Sequence, residues 1–153
     1  MSCFQFKNQM GMKLHKTDTE NNNNLSFFEA TGFSMWPFIK QGERLIIKKI
    51  PIGDLKIGDI ILYRKDNQLV CHRLIRRIGD EKGYLLYTRG DNSSQFDSLS
   101  EEMFSGKVIA TIRNGKVLNL MHPRQQLFNR IIIIISPLIS WGIKIGKAAL
   151  GKQ

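Results

Sequence analysis

Asp59-Ile60-Ile61-Leu62-Tyr63-Arg64 and Gln68-Leu69-Val70-Cys71-His72-Arg73-Leu74-Ile75-Arg76-Arg77-Ile78 stand on either side of Lys65-Asp66-Asn67. Two runs rich in branched and aromatic residues, joined by a short polar turn, predict a β-hairpin. The same grammar continues outward. Phe27 to Thr31 and Arg44 to Ile50 read as strands upstream, and Tyr84 to Arg89 reads as one downstream, ending at Gly90. Lys107 to Ile112 and Lys116 to Leu120 flank Asn114-Gly115, a turn pair in which both residues tolerate positive φ. Short strands with regular turn signals predict a mainly β domain. At 153 residues the chain suits one such domain with its own core.

Three places in this framework carry chemistry. Ser34 lies in the turn Gly32-Phe33-Ser34-Met35-Trp36-Pro37, His72 lies in the hairpin, and Asp91 and Asp97 lie in a polar loop after Gly90. A serine hydroxyl needs a neighbouring base to become a nucleophile, and an imidazole serves best when a carboxylate fixes its tautomer. Strand alternation puts Val70, His72 and Leu74 on one side and Arg73 on the other. Each residue also has a plainer reading: a turn serine bonding backbone amides, a core histidine, and an aspartate holding the Gly90 turn. Met35 and Trp36 read equally as core or as cleft-lining residues.

The order and flanks of these motifs resemble the signal peptidase superfamily of serine peptidases. That family marks its nucleophile with Ser-Met-x-Pro, here Ser34-Met35-Trp36-Pro37. One branch uses a lysine base. The branch typified by the endoplasmic-reticulum enzyme uses a histidine followed by Arg-Val/Leu-Ile, here His72-Arg73-Leu74-Ile75, and then a Gly-Asp-Asn box with a second aspartate, here Gly90-Asp91-Asn92 and Asp97. Gly58-Asp59 before Ile60-Ile61 also fits. The resemblance covers about residues 28 to 112. It implies a signal-peptidase-like β-rich catalytic domain in which Ser34 is the nucleophile, His72 the base and Asp97 its orienter. Asp91, Gly32 and Met35 then support the site, although spacing alone leaves Asp91 and Asp97 exchangeable. The implied substrate is a precursor or leader peptide with small residues before the scissile bond. Two departures stand out. Gly32 occupies a position where many members carry a serine that helps hold the oxyanion, so backbone amides, including that of Ser34, are expected to do so. Residues 1 to 28 also hold no apolar stretch like the helix that usually precedes the nucleophile strand.

Charge is uneven. The net charge is +10, yet no acidic residue follows Glu102, while Lys107, Arg113, Lys116, Arg124, Arg130, Lys144, Lys147 and Lys152 do. An unopposed basic block predicts an anionic partner. From Leu127 to Ala149 apolar residues recur with helical period, interrupted by Pro137. The uncharged run Ile131 to Ile143 is shorter than the roughly 20 residues a membrane span needs. The expectation is therefore a flexible arm over residues 1–25, a peptidase domain over 26–122, and a basic amphipathic helix over 123–153 lying on an anionic membrane surface. A helix docked on the β domain is the plainer alternative. The protein is then membrane-associated on a side the sequence leaves open, the cytoplasmic face included. Nucleic acid is not expected, since Phe128 and Trp141 are the tail's only aromatics for stacking. No metal or other cofactor is expected: His15, His72 and His122 stand far apart without companion ligands. Cys71 reads as a small buried thiol. Two rivals are a self-cleaving repressor-type peptidase, which shares the Ser-Met turn but uses a lysine base behind a DNA-binding module, and a non-catalytic membrane- or nucleic-acid-binding module on the same fold.

Overall fold

The structure is a computed structural model that describes residues 13–16, 24–81, 83–121 and 131. Among the described residues nine strands form one sheet: β1 (Lys13–Lys16), β2 (Leu25–Thr31), β3 (Arg44–Lys48), β4 (Ile60–Lys65), β5 (Gln68–Asp80), β6 (Gly83–Arg89), β7 (Phe96–Ser100), β8 (Phe104–Arg113) and β9 (Lys116–Asn119). The mainly β expectation is therefore met. The expected helix over 123–153 lies outside the described residues apart from Ile131. Among the described residues no helix is long and apolar enough to cross a membrane.

Every strand pairing is antiparallel. The path β1-β2-β3-β8-β4-β5 returns on itself because β1 also pairs with β5, at Lys13 opposite Val70. The ring thus closes through β1, which fills the gap between β2 and β5. Beyond the ring, the far half of β5 pairs with β6, and β6 with β7. Both hairpin turns take the geometry their residues favour: Asp66 and Asn67 have φ of 49° and 59°, and Asn114 and Gly115 have 50° and 74°. Positive φ at both central residues matches the strand twist.

The burial of β4 explains its long apolar run, Ile60 to Tyr63. Ile60 and Leu62 pack with Phe28, Leu45 and Val108 in one core cluster. Ile61 and Tyr63 pack with Leu74, Leu86 and Leu99 in a second. A strand covered on both faces needs apolar side chains at every position. Cys71 is fully buried in the first cluster, and burial holds its thiol well above the ordinary range.

Two strands differ from the sequence reading. β1 lies inside the segment expected to be a flexible arm; its Lys-Leu-His-Lys sequence carries almost no strand signal, and the pairing comes from the open edges of β2 and β5. β7 holds Asp97, where the sequence predicts a polar loop. Asp and Ser are poor strand formers, but pairing with β6, Thr88 opposite Asp97, imposes the extended backbone.

Candidate active site

The Ser34 turn begins where β2 ends. Gly32 has φ of 99°, a left-handed conformation that glycine adopts without strain. Hydrogen bonds from Trp36 N to Phe33 O (3.1 Å) and from Phe38 N and Ile39 N to Met35 O (both 3.0 Å) then coil the chain tightly. Met35 is fully buried and anchors this coil in the first core cluster, which answers the open question of its placement. Phe33 and Trp36, on either side, stay 47% and 43% exposed. Ser34 itself is buried at 6% exposure.

The registers bring the other groups to it. His72 stands opposite Ile61 in the hairpin, Leu74 opposite Thr88, and Thr88 opposite Asp97. Paired residues share a face and alternate residues return to it, so His72, Tyr63, Thr88 and Asp97 converge on one space. His72 Nε2 is 3.1 Å from Ser34 Oγ. On the other side of the ring, His72 Nδ1 is 3.2 Å from Asp97 Oδ2 and 2.9 Å from Tyr63 Oη. Tyr63 Oη donates to Asp97 Oδ2 at 2.7 Å and accepts from Thr88 Oγ1 at 3.3 Å. Lys65 Nζ pairs with the second oxygen of Asp97.

These contacts set the local electrostatics. The close approach of His72, helped by the hydrogen bonds from Lys65 and Tyr63, holds the Asp97 carboxyl well below the usual carboxylate range despite partial burial. It is an ionised, acceptor-only group at neutral pH. Burial, opposed by the Thr88 bond and reinforced by Asp97, holds the Tyr63 phenol well above its ordinary range, so it keeps its proton.

Asp91 goes elsewhere. Arg73 Nε and Nη2 donate to its two carboxylate oxygens, each at 2.7 Å, and Arg73 Nη1 donates to Gly58 O at 2.8 Å. Both side chains are almost fully buried. Arg73 projects from the face of β5 opposite His72, so this ion pair ties the Gly90-Asp91-Asn92 loop down from behind. The loop then reaches the serine: Asn92 N donates to Ser34 O at 2.7 Å. Gly90 lies so close that a Cβ there would sit 2.7 Å from Ser34 O and 3.2 Å from His72 Nε2.

Ser34, His72 and Asp97 are therefore in one constellation, Gly32 and Met35 build the turn under it, and Asp91 braces it without touching His72. Tyr63, Lys65 and the close approach of Gly90 were missed. The signal for Tyr63 was present in the hairpin: a two-residue turn at Asp66-Asn67 puts Tyr63 opposite Val70 and Ile61 opposite His72, hence Tyr63 on the histidine's face, whereas nothing local marks the approach of Gly90 to Ser34. Among the described residues no group of His, Cys, Asp and Glu side chains could hold a metal ion.

Searches of curated proteins and of solved structures return no match. A family model described as Peptidase S24-like matches residues 3–109, a span that runs from the N-terminal segment into β8 and takes in every residue of the constellation. A serine-peptidase-type fold with these groups assembled on it, matched over most of its length, places the chain in the Peptidase S24-like family.

Proposed function

We propose that the chain is a signal-peptidase-like serine endopeptidase of the histidine-base branch, acting on precursor or leader peptides with small residues before the scissile bond. The observation that carries this reading is the line of contacts from Ser34 Oγ to His72 Nε2 (3.1 Å) and from His72 Nδ1 to Asp97 (3.2 Å). In the proposed reaction Ser34 Oγ attacks the peptide carbonyl carbon as its proton passes to His72 Nε2. Asp97 stabilises the imidazolium that forms. Backbone amides hold the oxyanion, since Gly32 has no hydroxyl to offer. The C–N bond then breaks, the imidazolium gives its proton to the leaving amine, and water repeats the sequence to release the acyl group. Cleavage of a small-residue peptide by purified protein tests this: Ser34→Ala and His72→Ala each lower turnover by about 10³-fold or more, and the double variant little further, because such groups act as a unit. Undiminished cleavage by either variant contradicts the scheme, and absence of cleavage by the parent protein favours a non-catalytic module on the same fold.

We also propose placement on an anionic membrane surface through residues 124–153, on the strength of the unopposed basic block and the helical apolar period. A truncation ending at His122 loses sedimentation with anionic vesicles on this reading; equal sedimentation of both forms contradicts it.

One observation favours a second reading, self-cleavage of the repressor type. β1, from the chain's own N-terminal segment, lies between β2, which leads to Ser34, and β5, which carries His72. Its Lys13 end is the end beside Thr31, nearer Ser34. A strand in that place is where an extended substrate would pair. Cleavage of the chain at a rate independent of its dilution supports action in cis; an intact chain that still cleaves added peptide removes it.

A further inference from the structure

Tyr63 has no part in the three-residue scheme, yet it makes the shorter contact to the base. Its hydroxyl is 2.9 Å from His72 Nδ1, against 3.2 Å for Asp97 Oδ2. Its side chain is fully buried in the second core cluster, which fixes the ring. The direction of its hydrogen bonds follows from proton count. Asp97 is ionised and accepts only, so the single phenolic proton lies on the 2.7 Å bond to Asp97 Oδ2. The oxygen's lone pairs then face the Thr88 hydroxyl at 3.3 Å and His72 Nδ1 at 2.9 Å. An oxygen that has already committed its proton can only accept from Nδ1. Nδ1 must therefore carry the imidazole proton, which leaves Nε2 as the bare nitrogen facing Ser34 Oγ.

We infer that Tyr63 is a positioning residue for His72: its hydroxyl, oriented by Asp97, accepts the Nδ1 proton and so selects the tautomer in which Nε2 can take the proton of Ser34. This rests on the Ser34–His72 reading of the site. Asp97 then acts on the histidine by two routes, one direct and one through the phenol. Lys65, on the far oxygen of Asp97, keeps that carboxylate turned toward them. No group is consumed: the phenolic proton stays on Tyr63, hydrogen-bonded to Asp97 Oδ2, and the proton that moves is the one exchanged between Ser34 Oγ and His72 Nε2. The raised affinity of the phenol for its proton is consistent with this.

Tyr63→Phe removes the hydroxyl and keeps the ring. The expected result is a fall in kcat of about 10-fold or more with KM nearly unchanged, as for loss of a group that acts on the base rather than on the substrate. Introduced into Asp97→Asn, the same change costs much less, since both act through one network. Imidazole NMR gives a readout that a purely structural role leaves still. The His72 Nδ1–H resonance moves downfield in Tyr63→Phe, as the carboxylate replaces the phenol as acceptor. An unchanged resonance, wild-type kcat, or losses that multiply in the double variant overturn the inference. Should Tyr63→Phe not fold, nitrogen shifts of neutral His72 in the parent protein decide: protonation at Nδ1 supports it, and protonation at Nε2 overturns it. A parent protein that cleaves nothing sinks the peptidase reading, while the NMR result still judges Tyr63.

Discussion

Alanine at position 90 puts a methyl carbon 2.7 Å from Ser34 O, 3.0 Å from Ser34 Cβ and 3.2 Å from His72 Nε2. The nearest of these atoms is backbone and cannot swing aside. It already accepts a 2.7 Å hydrogen bond from Asn92 N. Ordinary contact begins near 3.4 Å, so the loop and the serine turn must part by about 0.7 Å. The turn cannot yield freely, because Met35 is packed in the core just beyond it, and the loop is tied to Arg73 through Asp91. A misplacement approaching 1 Å at a reacting group is worth up to about 10²-fold, and overpacking costs about 1–3 kcal/mol. The expected result for Gly90→Ala is a 10- to 100-fold lower kcat, on the order set by that displacement, with KM little changed and a folded but less stable protein. The assay is initial-rate cleavage of a small-residue peptide beside a denaturant melt. Wild-type kcat in a folded Gly90→Ala protein would refute the placement of this loop against the nucleophile.

The two aspartates are expected to fail differently. Asp91→Asn leaves Arg73 as a buried charge without its partner, which costs about 3 kcal/mol or more; denaturant melts should show this, while the rate of covalent serine labelling per folded molecule stays near the parent value. For Asp97, the folded carboxyl is held below its ordinary value of about 3.9, so its contribution to stability is fully present above that pH and is lost as pH falls toward the depressed folded value. The stability gap between the parent and Asp97→Asn should therefore close between about pH 5 and pH 2, and a constant gap contradicts the network around Asp97. Deletion of residues 1–16 removes β1 from the gap between β2 and β5; on the strand-addition reading, KM for an added peptide falls, whereas an unchanged KM in a folded protein places the substrate elsewhere.

How much of this was legible in the chain differs from residue to residue, for physical reasons. The hairpin around Asp66-Asn67 is local, so its turn chemistry and alternation predict Val70, His72 and Leu74 on one face, as found. The Ser34 turn is likewise written in its Gly and Pro. β7 was not legible, because Phe96-Asp97-Ser98-Leu99-Ser100 buries only Leu99 and takes its extended form from β6. β1 was invisible for the same reason: its strand character belongs to the edges it closes. The Arg73–Asp91 pair joins residues on separate elements, and nothing in their spacing distinguishes a buried brace from a second carboxylate near the histidine. Tyr63 was readable only by carrying the hairpin register two residues further, where an apolar run suggests core and hides a hydroxyl.

Covalent labelling of the native protein with a fluorophosphonate, located by peptide mass spectrometry, tests the central claim most directly, because it needs no knowledge of the substrate. The account predicts that the label falls on Ser34 alone among the chain's serines and is lost in His72→Ala, which leaves the hydroxyl in place but takes away the group 3.1 Å from it. Absence of labelling at Ser34 in the parent protein, or labelling that proceeds equally fast in His72→Ala, would contradict it.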